Sequence, residues 1–543
     1  MMGRTFGPAA VLAMCAALVG TSAGAQTTGG TRAGDSTFNQ VFDSIKNRPE
    51  FAHANFGVEI YSLDRKAVLF QWNSDKLFIP GSTTKLLTEG TALQLFGPDY
   101  RFHTVVYRTG EIRNGTLKGN LVLVASGDPD LSGRLQPDGT LAFADEDHSY
   151  GGFDSRLVAG DPVAPLNDLA QQIAAAGIRK VDGRILVDAS LFPEGDRELG
   201  TGVVISPVMV NDNVVDAVIS PGLSVGQKAN IHVSPQPAYI RYVNAVTTGA
   251  RGSKFSLDRT DRALANGDVE VTLKGSMPAD RGAYIDSYPV ASPSRFATAL
   301  MTEALANKGV AVASRNFPAK PTGDTFKASY TLRNRVAEYV SAPLSEDVKI
   351  TLKTSQNLHA SSMPFLLGAV LGKAKTSIDR KGFELERGFL TKAGLDLSGA
   401  SQSDGAGGSA MFTPDFMARY LAYKADQPDY TVFRNALPVL GKDGTLFNIQ
   451  TTSPAAGHVS AKTGTFEDSD LLNASTILAA KGLAGYTATV TGERVAFAIY
   501  VNFVPLATDS QDSVKTSDAI RAVGQQLGEI AAAANLYAIE PVK

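Results

Sequence analysis

The sequence predicts an α/β protein whose sheet is built from both ends of the chain and is interrupted by a large β-rich insert. Two strand patterns and a helical pattern come first, in "FGVEIYSLD", "AVLFQWN" and "FIPGSTTKLLTEGTALQLFG". A strand, "ERVAFAIYVNFV", and a helix, "DAIRAVGQQLGEIAAAANL", come last. Between them, short strand-like runs separated by Gly, Asn and Pro fill residues 103–288. We therefore expect a discontinuous domain of residues 26–102 and 289–543 that contains an inserted β-rich domain at 103–288.

Within this frame the elements follow in order. The "FIPGSTTKLLTEGTALQLFG" helix begins after a Pro-Gly break and is expected to be amphipathic. The insert holds strand patterns such as "LKGNLVLVAS" and "DVEVTLKG", an Asn114-Gly115 turn and one helix, "PLNDLAQQIAAAGI". Helical patterns return with "SPSRFATALMTEALANKGV" and "HASSMPFLLGAVLG".

Length and composition restrict the class of protein. At 543 residues the chain is longer than one hydrophobic core usually supports, so two or more domains are expected. Its 43% apolar and 19% charged residues are typical of an ordinary globular protein. The formal net charge of -3 and the lack of a dense Lys/Arg block in the sequence argue against a nucleic-acid partner.

The N-terminus has the pattern of a secretory signal peptide. Arg4 precedes the apolar run "PAAVLAMCAALVG", and the small residues Ala23 and Ala25 predict cleavage after about Ala25, so residues 1–25 are assigned to the signal. We therefore expect the mature protein in the periplasm, outside the cytoplasm, with no transmembrane segment. The one cysteine, Cys15, lies in the signal and leaves the mature chain without a disulfide. A lipid anchor at Cys15 is disfavoured, because "LAM" lacks the small residue expected before it.

Ser82 and Lys85 are candidates for a nucleophile and its base. Residues three apart on a helix share a face, so the lysine lies beside the serine. Lysine can accept the serine proton if burial or a second cation lowers its pKa, and free N–H groups at a helix start can stabilise an oxyanion. Taken alone, the pattern more often marks an N-cap serine and a solvated lysine.

Two motifs downstream favour the catalytic interpretation. "SQN" at 355–357 and "KTGT" at 462–465 follow the serine motif in the order in which S-x-x-K, S-D-N and K-T-G occur in penicillin-binding proteins and class A β-lactamases. Ser355 can relay a proton between Lys85 and a leaving amine, and Asn357 can hydrogen-bond a substrate amide.

The third motif is expected to bind a carboxylate. Lys462 should lie on an edge strand, where its charge attracts an anion and helps to keep Lys85 neutral. Gly464 lets a substrate approach that strand closely, and Thr463 and Thr465 offer hydroxyl groups to the carboxylate.

With these motifs in place, the chain resembles the D-alanyl-D-alanine carboxypeptidases of the class C penicillin-binding proteins, peptidase family S13, the penicillin-binding protein 4 group. Further stretches, among them "GNLVLVASGDPDL", "SPVMVNDNVVD", "SDGAGGSAMFTPD", "GKDGTL" and "FAIYVN", carry the resemblance over nearly the whole mature chain. That family also has a large insert after the nucleophile helix. The resemblance implies a serine DD-peptidase / β-lactamase-like transpeptidase fold of the α/β (α+β) class, with an antiparallel sheet flanked by helices.

The resemblance also implies a function. It is that of a serine-type D-Ala-D-Ala carboxypeptidase, with DD-endopeptidase activity as a second expectation, which hydrolyses peptidoglycan peptides through an acyl-enzyme and is acylated by β-lactams such as penicillin. No metal or organic cofactor is implied. The implied catalytic residues are Ser82, Lys85, Ser355 and Asn357, and the implied substrate-binding residues are Lys462, Thr463, Gly464 and Thr465. The backbone N–H groups of Ser82 and Thr465 would form the oxyanion hole.

Two departures from the family pattern affect the same region. Gln356 stands where the family usually has Asp, which changes the local hydrogen bonding. A longer segment separates "KTGT" from "LAGY" at 483–486, and it can alter access to the cleft.

Other interpretations remain beside this one. A β-lactamase is disfavoured by the length and the insert, and a non-catalytic penicillin- or wall-binding module is disfavoured by the intact motifs. A His-dependent hydrolase would need a partner serine, and the sequence has no G-x-S-x-G elbow. His148, in "ADEDHSYGG", is a weak metal candidate, because an acidic loop with one His is usually solvated surface. The insert contains none of the motifs, so we expect a folded protein with residues 103–288 replaced by a short linker to keep some penicillin acylation. It should lose more activity on polymeric peptidoglycan than on a small D-Ala-D-Ala peptide, because the insert is placed to orient the large substrate.

Overall fold

The structure is a computed structural model that describes residues 37–314, 317, 320–509 and 513–539. The predicted signal peptide, including Cys15, lies outside the described residues. Among the residues that are described, no helix combines the length and hydrophobicity needed to span a bilayer.

Helices and strands are numbered separately along the chain. The helices are α1 (Thr37–Lys46), α2 (Lys85–Phe96), α3 (Ala164–Ala175), α4 (Pro293–Asn307), α5 (Leu344–Thr354), α6 (Asn357–Leu366), α7 (Ile378–Lys392), α8 (Pro414–Ala425), α9 (Tyr430–Asn435) and α10 (Ser513–Leu536). The strands are β1 (Asn55–Ser62), β2 (Ala67–Trp72), β3 (His103–Arg108), β4 (Ile112–Arg113), β5 (Thr116–Leu117), β6 (Leu121–Val124), β7 (Lys180–Val181), β8 (Ile185–Asp188), β9 (Val214–Ser220), β10 (Asn230–Ser234), β11 (Ile240–Gly249), β12 (Ser256–Ala263), β13 (Val269–Pro278), β14 (Tyr284–Pro289), β15 (Ala311–Val312), β16 (Arg335–Val340), β17 (Ala400–Gln402), β18 (Ala410–Phe412), β19 (Ser460–Asp470), β20 (Ser475–Ala488) and β21 (Arg494–Asp509).

One antiparallel sheet joins the two ends of the chain, as predicted. Its strand order is β19-β20-β21-β1-β2, so the C-terminal strand β21 pairs with the N-terminal strand β1. Strand β19, which carries the third motif, is an edge strand. The segment between "KTGT" and "LAGY" forms a long β19–β20 hairpin, whose tip exposes Leu471 and Leu472.

Strand β21 shows how the sequence covers both faces of this sheet. Val495, Phe497 and Ile499 lie in the apolar cluster that contains α1 and α10. Ala496 and Ala498 lie in a different cluster, which contains α2, α5, α6 and α8. Because successive strand residues point to opposite faces, the continuous apolar run of β21 is explained by helices on both sides.

The insert has a core of its own. Strands β3 to β16 form four smaller sheets, with orders β16-β3-β6-β8, β15-β7-β5-β4, β10-β9-β14 and β11-β13-β12. Their apolar residues, with those of α3 and α4, make one cluster separate from the two that cover the large sheet. The Asn114-Gly115 turn joins β4 to β5, with φ of 50° and 75° at the two residues.

This packing extends the insert beyond the predicted end at residue 288. Strand β16 pairs with β3, and α4 packs against α3 in the core of the insert. The helical pattern of α4 predicted a return to the catalytic domain, but periodicity does not tell which core a helix joins. We therefore propose a catalytic part of residues 37–102 and 341–539 and an insert of residues 103–340.

Candidate active site

Ser82 lies in a tight turn that leads into α2. A 3₁₀ turn, Gly81–Thr84, follows Pro80 and continues directly into the helix. The prediction that this helix is amphipathic was wrong, because every residue from Lys85 to Leu93 is buried. Helices α5, α6 and α7 pack against α2. The nucleophile candidate is thus held at the start of a buried helix.

The Lys85 side chain contacts Ser82 and two residues of the second motif. Its Nζ lies 2.7 Å from Ser82 Oγ, 3.4 Å from Ser355 Oγ and 2.6 Å from Asn357 Oδ1. It also donates to the backbone carbonyl of Ala406, at 3.4 Å. Sequence reasoning missed Ala406, because a backbone carbonyl leaves no signature in residue type.

Ser355 adopts a left-handed backbone conformation between α5 and α6. Its φ is 66° and its ψ is 31°, a region that costs a non-glycine residue about 1 kcal/mol. The Tyr150 hydroxyl of the insert donates to the Ser355 carbonyl at 2.5 Å. Lys462 Nζ donates to Ser355 Oγ at 2.8 Å, so this hydroxyl lies between two lysines. The strained turn places it there.

The first and third motifs touch through two glycines. A Cβ added at Gly464 would lie 2.1 Å from the carbonyl oxygen of Pro80 and 3.3 Å from the backbone nitrogen of Ser82. One added at Gly81 would lie 2.7 Å from the backbone nitrogen of Thr465. Only residues without a side chain permit this approach. The backbone amides of Ser82 and Thr465 therefore border the same space, although their role as an oxyanion hole stays a prediction.

The two buried lysines titrate against each other. Burial lowers the pKa of Lys85 to about 7, against the opposing effect of Glu198, Asp404 and Glu89. Burial, together with the charge on Lys85, holds the pKa of Lys462 well below its usual range. The third motif predicts that Lys462 stays charged. In the free protein, the lowered pKa of Lys462 disfavours that charge. Because a charge on one amine disfavours a charge on the other, the two lysines titrate as a coupled pair.

The insert forms one wall of the cleft above Ser82. The cleft has a volume of about 670 Å³ and is lined by residues of β19, β20 and α10 and by the insert segment 146–155. Gln356 fixes that segment to the second motif, since its Nε2 donates to Ser149 Oγ at 2.9 Å and to Asp147 Oδ1 at 3.2 Å. Its Oε1 accepts from the Leu358 N–H at 2.9 Å and caps α6. Gln356 therefore links the insert to α6.

Behind this wall, buried charges join the insert to α5 and α6. The fully buried Arg134 donates to Asp147 at 2.8 Å and to Asp212 at 2.7 Å. His359 lies between Asp212 and Asp347, at 2.8 and 2.9 Å. Although burial alone would lower it, these carboxylates raise the pKa of His359 well above its usual value. The cluster is therefore a set of mutually compensating ions.

His148 belongs to the same cluster, so its assignment to solvated surface was wrong. It is buried, with Nε2 at 2.8 Å from Asp212 and Nδ1 at 2.9 Å from Asp216. The acidic residues around it in the sequence gave no sign that partners 64 and 68 positions away would enclose it.

Two groups in the cluster have the composition of a metal site. They are Asp130, Asp347 and His359, and Asp147, His148 and Asp212. Each imidazole, however, faces a carboxylate at both ring nitrogens and is held in the protonated form, which has no lone pair to give to a metal. Internal ion pairing accounts for these residues without a metal.

Comparison with known proteins agrees with this geometry. The model of the D-Ala-D-Ala carboxypeptidase 3 (S13) family matches residues 38–527. The chain belongs to the S13 family. The family, the enzyme class and the activity of a serine-type D-Ala-D-Ala carboxypeptidase that the sequence predicted are thereby confirmed.

Relatives match over most of their length. A D-alanyl-D-alanine carboxypeptidase of Actinomadura sp. (strain R39) is 27% identical, over 88% of this chain and 84% of the relative. The carboxypeptidase DacB of Haemophilus influenzae is 23% identical, over 85% of this chain and 88% of the relative. The crystal structure of penicillin-binding protein 4 from H. influenzae superposes with a TM-score of 0.65 at 22% identity, over 90% of this chain and 99% of that chain, which confirms the fold.

Proposed function

We propose that this S13 enzyme hydrolyses the D-Ala-D-Ala bond of peptidoglycan peptides through an acyl-enzyme on Ser82, with Lys85 as the base. The observation that carries the proposal is the buried Lys85 amine, 2.7 Å from Ser82 Oγ, with a pKa of about 7. A neutral amine has two hydrogens and one lone pair. Asn357 Oδ1 and the Ala406 carbonyl are acceptors for the hydrogens, which leaves the lone pair for the Ser82 hydroxyl.

The reaction has two halves. Ser82 Oγ attacks the carbonyl carbon of the penultimate D-Ala and gives its proton to Lys85. Ser355, between the two lysines, passes a proton to the departing amine nitrogen, the C–N bond breaks and D-alanine leaves. A water molecule, deprotonated by the same base, then hydrolyses the ester and restores Ser82. The Ser82 and Thr465 amides would hold the oxyanion in both halves.

Substrate binding favours the reactive protonation state. A carboxylate near Thr463 and Thr465 stabilises a proton on Lys462 rather than on Lys85. Since the two lysines repel each other's charge, the bound substrate drives Lys85 toward the neutral form.

Penicillin labelling followed by intact-protein mass spectrometry tests the nucleophile. We expect the wild-type enzyme and a Ser44→Ala control, whose serine is exposed on α1, to gain one penicillin mass each. We expect Ser82→Ala to gain none and to release no D-alanine from a D-Ala-D-Ala peptide. Labelling of another serine in that variant would overturn the assignment. Rapid penicillin hydrolysis by the wild type would favour a β-lactamase, and labelling without D-alanine release would favour a binding module.

The proposal also covers the location of the enzyme and a second activity. We place the enzyme outside the cytoplasm, in the periplasm, because its substrate is the cell wall and the N-terminal sequence has a signal pattern. The cleft of about 670 Å³ is large enough for a cross-linked peptide, which supports DD-endopeptidase activity beside trimming.

A further inference from the structure

A second lysine borders the cleft beside the third motif. Lys481 lies on β20, directly opposite Thr465 of β19, and its Nζ donates to Thr465 Oγ1 at 2.8 Å. Both residues line the same cleft as Ser82. The sequence analysis did not single out Lys481, because it belongs to no motif and meets Thr465 only through strand pairing.

Lys481 differs from Arg521, which also lines the cleft, in having no carboxylate within ion-pair distance among the described residues. Glu146 and Glu467 act on it from farther away. Arg521 of α10 forms an ion pair with Asp154 of the insert at 2.6 Å. For Lys481, the ion pairs within 4.0 Å among the described residues include none, and its hydrogen-bond partner is a neutral hydroxyl. A half-buried ammonium group without an anion is costly, and a bound anion would offset that cost.

Lys462, by contrast, is fully enclosed by its neighbours. Its side chain is fully buried, and its ammonium group donates to Ser355 Oγ and to the carbonyl of Thr463. Because its ammonium group already donates to these two groups, Lys462 acts on a substrate anion more through its charge than by direct contact. A direct cationic contact has to come from another residue.

We infer that Lys481 is a further substrate-binding residue, which with Thr465 holds the carboxylate of the departing residue. The inference rests on the proposed function, which places the scissile carbonyl beside the amides of Ser82 and Thr465. The terminal carboxylate of a D-Ala-D-Ala peptide is three bonds from that carbonyl carbon. This carboxylate is the negative charge of the substrate nearest to the reacting bond. Lys481 contacts Thr465, whose amide borders the space for the scissile carbonyl. Lys481 thereby selects substrates that end in a free acid.

Acylation by penicillin and by penicillin methyl ester tests this selection. The reactive ring keeps both rates measurable, and only the free acid presents the carboxylate. For Lys481→Met we expect the acylation rate of the acid to fall about 10- to 100-fold, the range of a charged hydrogen bond, while the rate of the ester changes less than about two-fold. Lys481→Arg should recover most of the loss because it keeps the charge. Lys66→Met, which removes an exposed lysine paired with Asp426, is the matched control.

The outcomes separate the inference from the proposed function. An equal fall for acid and ester in Lys481→Met would show a structural role, and an unchanged acid rate would show no role; either result overturns the inference. In both cases Ser82 would still be labelled, and the proposed function would stand. Failure of the wild type to be labelled at Ser82 by either compound would overturn the proposed function instead.

The pH dependence supplies a second readout. Burial lowers the pKa of Lys481 to about 8, with Glu146 and Glu467 raising it and Arg521 lowering it. Above that pH the ammonium loses its charge, so the acid-to-ester rate ratio of the wild type should fall. In Lys481→Arg, which stays charged, the ratio should hold. Titration of Lys85 and Lys462 occurs in both proteins, so a difference in the pH profile of the ratio between wild type and Lys481→Arg reports on Lys481.

Discussion

At the scale of single residues, the site depends on one amine placed in an unusual environment. Lys85 is fully buried, yet its hydrogens have acceptors at Asn357 and Ala406, and its nitrogen lies 2.7 Å from the Ser82 hydroxyl. Burial disfavours its charge and the acceptors orient its hydrogens. Together they convert an ordinary lysine into a base that works near neutral pH.

Lys85→Arg tests whether the side chain at this position must be able to lose its proton. Arginine keeps its proton in proteins, so the variant cannot accept the proton of Ser82. We expect acylation by penicillin to slow on the order of 10²-fold or more. Time-resolved mass spectrometry of the acyl-enzyme measures the rate, and circular dichroism checks the fold. An arginine variant that acylates at the wild-type rate would exclude Lys85 as the base.

The same scale shows what residue types can and cannot predict. Ser82, Lys85, Ser355, Asn357 and Lys462 were found because the chemistry requires those side chains at fixed spacing, and the structure brings them together. Other contributions, described above at Ala406, Tyr150 and Lys481, come from a carbonyl, from a distant loop and from a neighbouring strand. Their roles depend on the tertiary structure, which leaves no local pattern.

At the scale of elements, the site is a contact between an edge strand and a turn. Strand β19 and the 3₁₀ turn Gly81–Thr84 approach until backbone touches backbone, at Gly81 and Gly464. This contact brings the nucleophile to the strand that is expected to bind the substrate. Because β19 is an edge strand, its outer side stays open to a peptide.

Gly464→Ala should separate these two elements. The new methyl group would lie 2.1 Å from the Pro80 carbonyl, which is backbone and cannot rotate away. We expect β19 to shift from the turn and penicillin acylation to fall on the order of 10²-fold, as for other small displacements of catalytic groups. The matched control is Gly388→Ala in α7, where an added Cβ meets nothing within 4 Å.

The measurement for Gly464→Ala is the acylation rate beside the midpoint of thermal unfolding. A large loss of rate with a small change in midpoint is the expected pattern. Wild-type acylation by this variant would show that the close approach is not needed for catalysis.

The spacing of apolar residues predicts which segments form strands and helices, but not always what surrounds them. The apolar run of β21 and the strand patterns of β1 and β2 were recognised, because a strand buried on both faces needs little context. For helices α2 and α4, the helix was predicted correctly but its surroundings were not. Their sequences fix a helix, but only the full packing decides that α2 is enclosed and that α4 belongs to the insert.

At the scale of the whole molecule, the insert is part of the active-site structure. The prediction that some penicillin acylation survives its removal assumed that only loop connections cross its boundary. Instead, Phe192, Val203 and Met209 of the insert lie in the apolar cluster of the catalytic helices. Tyr150 and the partners of Gln356 hold the second motif from the same side. We therefore expect the insert to position the second motif in addition to contacting substrate.

The buried ions at this boundary give the last prediction, which concerns stability. His359→Gln removes the positive charge between Asp212 and Asp347 and leaves two buried carboxylates without it. Loss of one partner of a buried ion pair costs about 3 to 5 kcal/mol. We expect the free energy of unfolding at pH 6.5 to fall by about this amount. His103→Gln, at an exposed histidine beside Glu338, is the control and should change it little.

The pH dependence of the same variant identifies the cause. The folded protein raises the pKa of His359 well above that of the unfolded chain. Its contribution is therefore complete below about pH 6.5 and is lost as the pH rises through the folded-state value. Urea unfolding of wild type and variant should show the largest difference in free energy near pH 6.5 and a smaller one at alkaline pH, where His359 loses its charge. The buried lysines titrate in both proteins, so they do not contribute to this difference. A difference independent of pH would mean that the variant loses packing rather than charge, and that the boundary is not held by ions.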